Sequence, residues 1–278
     1  MRILNYRGTP IKLSKLLQNS FPDLSYNKIQ RLFREREIKL DGVRIREDVT
    51  VFDCSVEIFL PEFELKTIFE DENILVIFKP KGIKSQGVDS VETHFKDKNY
   101  AICHRLDTNT DGLLVIAKNQ TAQAEILTAF KTHSVKKFYR ALVNGNMTGT
   151  GELIGYLKKD AETGFAQIFS LKAPGSVQVI TEYRALMSDG SRTLLELSPV
   201  TGKTHQIRAQ LAAAGHFILG DMKYGNAETN KLYGARKQML SAYKIEFNFK
   251  EGTALSYLNG KIIEAEPSDY SGGFKGWI

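Results

Sequence analysis

The sequence predicts an α+β protein in which strands outnumber helices. Three observations carry this. Residues 1–46 hold two short stretches of helical apolar spacing followed by a hairpin signal; from Thr67 onward the chain is a succession of strand-length apolar runs; and residues 113–117, LLVIA, are unbroken apolar with Val and Ile among them, as in a strand buried on both faces. At 278 residues and 42% hydrophobic content the chain can bury a full core and leave room for a small second domain. No apolar run reaches the length of a membrane span, and residues 1–10 lack the apolar stretch of a signal peptide, so a cytoplasmic protein without membrane contact is expected, and a monomer. Cys54 and Cys103 fall in no CxxC or metal-ligand spacing, which points to a reducing compartment and no structural metal.

In chain order, residues 11–19 carry Ile11, Leu13, Leu16 and Leu17 at helical spacing. Ser25 is placed to cap a second helix running to about Glu35, with Ile29, Leu32 and Phe33 on its buried side and Lys28, Arg31 and Arg34 as a stripe on its polar side. Residues 38–45, IKLDGVRI, are two alternating runs about Asp41-Gly42, the dipeptide of tight hairpins. The positive charge of the chain lies in this segment. Residues 1–46 hold eleven Lys and Arg against four acids, a net of +7, and the remainder holds 27 bases against 28 acids. A basic stripe is most often a solvated face. One that coincides with the whole charge excess favours phosphate binding.

From about Ile11 to Leu60 the chain resembles the small RNA-binding module first described in ribosomal small-subunit protein four: two helices, the second basic, then a hairpin of the form I-x-L-D-G. The resemblance implies that residues 1–64 form an RNA-binding domain in which Lys28, Arg31 and Arg34 contact RNA, with residues 61–66 as the linker to a second domain, 65–278.

Beyond the linker, Ile68-Phe69 and residues 74–78 are strand-length runs separated by the acidic turn 70–73, and Lys79-Pro80-Lys81-Gly82 ends the second in a turn. Residues 120–131 read as a helix with Ala124, Leu127 and Phe130 on one face. Residues 138–143, FYRALV, read as a strand that sets Tyr139 and Ala141 opposite Phe138, Arg140 and Leu142. Gly145, Gly149 and Gly151 mark a long connection, and strands are expected at 166–171, 177–186 and 192–197.

Two stretches carry the chemistry. In residues 102–118, ICHRLDTNTDGLLVIAK, a polar segment runs directly into the apolar strand, with Asp111-Gly112 expected as a tight turn. An aspartate there is either a turn former or a reactive carboxylate fixed at a strand end, where such groups usually sit. Asp107 is the candidate. The second stretch is residues 201–215, TGKTHQIRAQLAAAG. Thr201 is a plausible N-cap, Ile207, Leu211 and Ala214 share a face, and Gly215 is a left-handed stop. Arg208 near a helix start is badly placed for the helix dipole, which is better explained if it reaches a carboxylate off the helix.

Together these segments resemble the RluA-type family of RNA pseudouridine synthases, from about Thr67 to Gly225: Lys79-Pro80-Lys81-Gly82 after a strand, HRLDTNTDG with Asp107, K-F-Y with Tyr139, and TGKTHQIR with Arg208, followed by Gly215-His216, Gly220-Asp221 and Tyr224-Gly225. The chain departs from the family pattern at Asp111, Lys203, Gln210 and Phe217. The resemblance implies a catalytic domain built on a mixed, mostly antiparallel sheet crossed by a cleft, and conversion of uridine to pseudouridine in ribosomal or transfer RNA without cofactor or metal. It implies Asp107, Tyr139 and Arg208 as the catalytic set. Asp107 would work on the ribose, Arg208 would be its permanent cation, and Tyr139 would stack on the uracil. Ile207 would floor the pocket, Lys203 would bind substrate, and Arg105 would fill the gap left by a flipped uridine, with His104 either supporting it or simply packing. An alternative from the binding class is a ribosome-assembly factor with a degenerate centre, against which the intact Asp107, Tyr139 and Arg208 argue.

Overall fold

The computed structural model describes residues 1–22, 24–59, 65–87, 90–95 and 98–266. The chain divides into two compact units, residues 1–64 with 86–93, and residues 65–85 with 94–278. Most of the linker expected at 61–66 lies outside the described residues; its last residue, Lys66, already begins a strand.

The first unit contains β1 (Arg2–Tyr6), β2 (Ile11–Lys12), α1 (Leu13–Ser20), α2 (Tyr26–Arg34), β3 (Ile38–Leu40), β4 (Val43–Ile45), β5 (Thr50–Val51) and β6 (Cys54–Ile58). Four of its strands form an antiparallel sheet in the order β1-β6-β3-β4. The helices close over it through Leu13, Leu17, Ile29, Leu32 and Phe33, which pack against Ile38, Val56 and Ile58. Ser25 caps α2 as expected, its side chain accepting from Lys28 N, and the hairpin turns at Asp41-Gly42, both at positive φ. The first helix starts two residues later than its spacing suggests, because Ile11 and Lys12 pair with Val51 and Thr50 and Asp48 holds both the amide and the hydroxyl of Ser14. β1 had no sequence signal: Arg2, Leu4 and Tyr6 are its half-buried positions while Ile3 is exposed, so the usual apolar alternation is scrambled.

In chain order there follow β7 (Lys66–Glu70), β8 (Ile74–Lys79), α3 (Val91–His94), β9 (Ala101–Ile102), β10 (Asp111–Ala117), α4 (Gln120–Lys131), β11 (Val135–Asn144), β12 (Thr150–Lys159), β13 (Ala166–Phe169), β14 (Val177–Ser188), β15 (Arg192–Pro199), α5 (Gln206–Ala213), α6 (Ala227–Leu232), β16 (Leu240–Phe247) and β17 (Ile262–Glu264). An 11-stranded sheet runs β13-β12-β14-β15-β11-β16-β10-β8-β7, with β17 on β16 and β9 on β10. Among the described residues only β10 against β16 is parallel, so the sheet is mixed and mostly antiparallel. The core lies under β8, β10, β11 and β16, where Val76, Val115, Ile126, Ile245 and Phe247 are buried.

Two local expectations are corrected. Asp111 and Gly112 are not a turn: they open β10 and pair with Ser241 and Ala242, and Thr108 and Asn109 form the turn instead. The buried face of α4 is Ala122, Ile126 and Ala129, while Leu127 is 46% exposed. Asn119 accepts from Ala122 N at 2.9 Å and fixes the phase of that helix. The glycine-marked connection is also shorter than expected, since β12 already begins at Thr150.

Candidate active site

The site begins with a loop that has little freedom. Residues 103–110 lead into β10 and are tied down at each step. Ser85 Oγ accepts from Leu106 N and donates to Leu106 O, both at 2.9 Å. Thr108 O accepts from Gly82 N at 2.8 Å and from Lys79 Nζ at 3.3 Å, and Gln238 donates to Thr110 Oγ1 at 2.8 Å. Lys79 is fully buried with its ammonium also on Pro80 O and Ile83 O; burial pushes its pKa down to about 8 against the pull of Asp111 and Asp107. Asp111, likewise fully buried, lies 3.7 Å from Lys81 Nζ. The turn after β8 and the start of β10 therefore clamp the loop, and Asp107 projects from it half-buried.

The facing wall is the start of α5. Its first residue, Gln206, is a buried hub. Its Oε1 accepts from Thr201 Oγ1 and Lys203 N, and its Nε2 donates to Ile180 O and Thr181 Oγ1. This fixes the helix start at Gln206 and corrects the expectation that Thr201 caps it, because the Thr201 hydroxyl is spent on Gln206 and on Ile180 N. Arg208 is buried, and its guanidinium is shared. Nη1 donates to Asp107 Oδ2 at 3.0 Å, while Nε and Nη2 donate to the two oxygens of Asp221 at 2.6 and 2.9 Å. Burial opposes the charge on each of Arg208 and Asp221, but their mutual ion pair outweighs it: the Arg208 pKa is raised and that of Asp221 is held below the usual carboxylate range. The Arg208 guanidinium lies over the ring of Tyr224, 5.0 Å from its centroid.

Between these walls is an open cleft of about 500 Å³ lined by Asp107, Tyr139, Ile207, Leu240, Lys137 and His205, with Arg105, Gly202 and Lys203 also in its lining. Tyr139 is buried, and burial, with the nearby Asp107 carboxylate, raises its pKa. Lys137 is two residues before Tyr139 on β11, so their side chains share a face; burial lowers its pKa to about 8. The arrangement offers an open, largely polar cleft with Tyr139, Ile207 and Leu240 in its lining, and one carboxylate held against a permanent cation.

A sequence profile of the RNA pseudouridylate synthases matches residues 73–213. The chain is 30% identical over 258 residues to ribosomal large subunit pseudouridine synthase C of Rickettsia conorii, covering 80% of this chain and 85% of that one. The chain belongs to the RNA pseudouridine synthases. This synthase is also 28% identical to ribosomal large subunit pseudouridine synthase D of Borreliella burgdorferi, over 82% of this chain and 73% of that one. Among solved structures, human RNA pseudouridylate synthase domain containing 1 shares its fold, with a TM-score of 0.61 at 22% identity over 76% of this chain and 86% of that one. The chain is therefore an isomerase acting on RNA.

Of the residues singled out in the sequence of this synthase, Asp107, Tyr139, Arg208, Ile207, Lys203 and Arg105 line one cleft. His104 does not. It turns into the core, where Nε2 accepts from Val115 N at 3.0 Å and the ring packs 4.8 Å from Phe130; burial and the neighbouring Lys137 keep it neutral. Arg105 is exposed and donates to Thr204 Oγ1 at 3.2 Å. On α2, Arg34 is exposed and Arg31 lies 3.5 Å from Glu35, so the three cations of the stripe are not equally available. From the sequence alone, Asp221, Tyr224, His205 and Lys137 receive no catalytic or binding role. Lys137 could have been found from its period-two spacing to Tyr139. Asp221, 13 residues beyond Arg208 in a loop, had no such signal.

Proposed function

We propose that Asp107 is the essential carboxylate of this isomerase and that its substrate is a uridine of ribosomal RNA. The observation that carries the reading is the Asp107 Oδ2 to Arg208 Nη1 contact at 3.0 Å in the cleft. Arg208 keeps its proton at any working pH, so a charged carboxylate can persist beneath a stacked base that excludes water. With the base in place, Asp107 acts on the ribose as the N1–C1′ bond breaks and the bonding pair leaves with the uracil. Tyr139, Ile207 and Leu240 hold the detached ring while it turns. The C5–C1′ bond then forms, one proton leaves C5 and one is gained at N1, so the product is an isomer and no other reactant enters.

Reaching the cleft requires the uridine to leave its stack, and Arg105 at the rim fills the vacancy. Residues 1–64 take the RNA-anchoring role, through Lys28, Arg31 and Arg34, in a monomer working in the cytoplasm. The ribosomal substrate rests on the names carried by the Rickettsia and Borreliella relatives.

The test is Asp107→Asn, nearly isosteric. The purified variant is expected to fold and bind RNA like the parent and to form no pseudouridine in ribosomal RNA. Appreciable turnover would remove Asp107 from its role. Mapping pseudouridines in total RNA with and without the gene identifies the uridine.

A further inference from the structure

His205 is the one non-glycine residue lining the cleft that has a positive φ among the described residues. It takes φ 61° and ψ 13° at the N-cap of α5 and makes no side-chain cap bond there. A strained backbone at a site asks what the side chain is held for. The Gln206 hub fixes the strain, and the imidazole points at two partners. Nδ1 lies 3.0 Å from the hydroxyl of Tyr224, and Nε2 lies 3.8 Å from Oδ2 of Asp107.

The hydrogen bonds and the facing carboxylate favour one tautomer. The Tyr224 hydroxyl oxygen accepts from Ala166 N at 2.8 Å, so the hydroxyl proton is free to point at His205 Nδ1. Nδ1 is then an acceptor, and a neutral imidazole carries its proton on Nε2, facing Asp107. The charged groups around it are Asp107 and Asp221, which favour the cation, and Arg208 and Lys223, which oppose it; burial opposes it most, and the net direction is toward the neutral ring. Asp107 Oδ2 thus has Arg208 Nη1 at 3.0 Å and His205 Nε2 within a small rotation. Oδ1 has no hydrogen-bond partner among the described residues.

We propose that His205 is a positioning residue for Asp107: a neutral Nε2–H donor, its tautomer set by Tyr224, that closes on Oδ2 when a base fills the cleft and so presents Oδ1 to the ribose. This rests on the reading of Asp107 above. Two donors on one carboxylate oxygen fix the rotation of the carboxylate plane, which one donor does not. Because the second donor is neutral, it orients Asp107 without adding a second full charge that would blunt the carboxylate. Hydrogen bonds of this kind tighten on substrate binding.

The experiment compares His205→Ala with His205→Gln in the full chain, by single-turnover rate on saturating ribosomal RNA. Both variants keep a Cβ at the same strained backbone, but only Gln retains an N–H that reaches Oδ2. The Ala variant is expected to lose roughly 10- to 100-fold in rate with unchanged RNA affinity, and Gln to recover most of it. In Tyr224→Phe the ring under Arg208 stays, but the proton that opposes imidazole protonation is gone, so the acid limb of the rate profile should move to higher pH. Nitrogen NMR of the intact wild-type protein near pH 7 should show the Nε2–H tautomer. A wild-type rate for Ala, a Gln variant as slow as Ala, an unmoved acid limb, or an Nδ1–H or charged ring would each overturn the proposal. Turnover by Asp107→Asn would remove the underlying reading instead; an inert Asp107→Asn beside a fully active His205→Ala removes this inference alone.

Discussion

Asp221 takes two of the three guanidinium nitrogens of Arg208, Nε at 2.6 Å and Nη2 at 2.9 Å. Asp221 is 1% exposed, and its Oδ1 also accepts from Lys223 N and Tyr224 N, so it is the fixed end of the arrangement. The fork-shaped donor is oriented by a carboxylate that faces away from the cleft, and one nitrogen is left over for a carboxylate that faces into it. Asp107 is therefore not Arg208's main partner. It receives one bond, and among the described residues its second oxygen has no hydrogen-bond partner.

Arg208→Lys is expected to fail despite keeping the charge. An ammonium cannot span both carboxylates, so it will settle on one of them. If it stays with Asp221, Asp107 loses its cation; if it moves to Asp107, a buried Asp221 is left unpaired. Single-turnover rates should fall at least roughly 100-fold. Urea unfolding should show a loss of about 3 kcal/mol. A lysine variant with near-parental activity would mean that charge alone suffices and that the fork geometry is irrelevant.

The cleft lining was legible because the loop, strand and helix that bring it are local in sequence and strongly patterned. Asp107 sits where a polar loop meets an apolar strand, Tyr139 on an alternating strand, Ile207 and Arg208 on a helix. The failures share a cause. His104 was grouped with Arg105 by its neighbourhood, with simple packing left open, and packing is what it does: in the irregular segment between β9 and β10 it turns inward to Phe130 while Arg105 stays exposed. The role of Asp221 and the late start of α5 depend on which hydrogen-bond partner reaches a group first, Gln206 for Thr201 and Asp221 for Arg208. Such competition is decided by tertiary contact and leaves no periodic trace.

Asp111 should reveal itself through pH. Asp111, one of the positions at which the chain departs from the family pattern, is fully buried, and its pKa is raised by burial against the opposing pull of Lys81. A carboxyl raised in the folded state is equally protonated in both states at low pH, and its ionisation costs stability once pH passes the ordinary value of 3.8. Asp111→Asn does not ionise. Its stability relative to the parent should rise as pH climbs above the ordinary value of 3.8, read by urea unfolding at several pH values. A difference that stays constant, or moves the other way, would mean that the Lys81 pair outweighs burial.

Gly112 admits no side chain. Its φ is 122°, and a Cβ there would lie 2.2 Å from Ala242 O and 2.6 Å from Ala242 N, backbone atoms of the parallel partner β16 that cannot yield like a side-chain tip. Gly112→Ala should cost about 3 kcal/mol or more and disturb the start of β10, immediately after the Asp107 loop. The cost and any loss of activity should appear together. Calorimetry showing a Tm within error of the parent would refute the close approach.

The basic stripe of α2 is tested by its salt dependence. Changing Lys28, Arg31 and Arg34 to Gln in the full chain lowers the net charge of residues 1–46 from +7 to +4 and leaves the cleft of the second unit untouched. Each cation that neutralises a phosphate releases counterions, contributing about 0.7 to the slope of log affinity against log salt for single-stranded RNA. Arg31 already lies 3.5 Å from Glu35, an exposed pair that cancels part of its charge, so two contacts rather than three set the expected change. The slope should drop by about 1.4, RNA should bind more weakly at every salt concentration, and the single-turnover rate at saturating RNA should not change. Binding measured from low to high salt decides it. An unaltered slope would show that the stripe does not meet the phosphate backbone, and the excess charge of the first unit would then have to serve a protein partner.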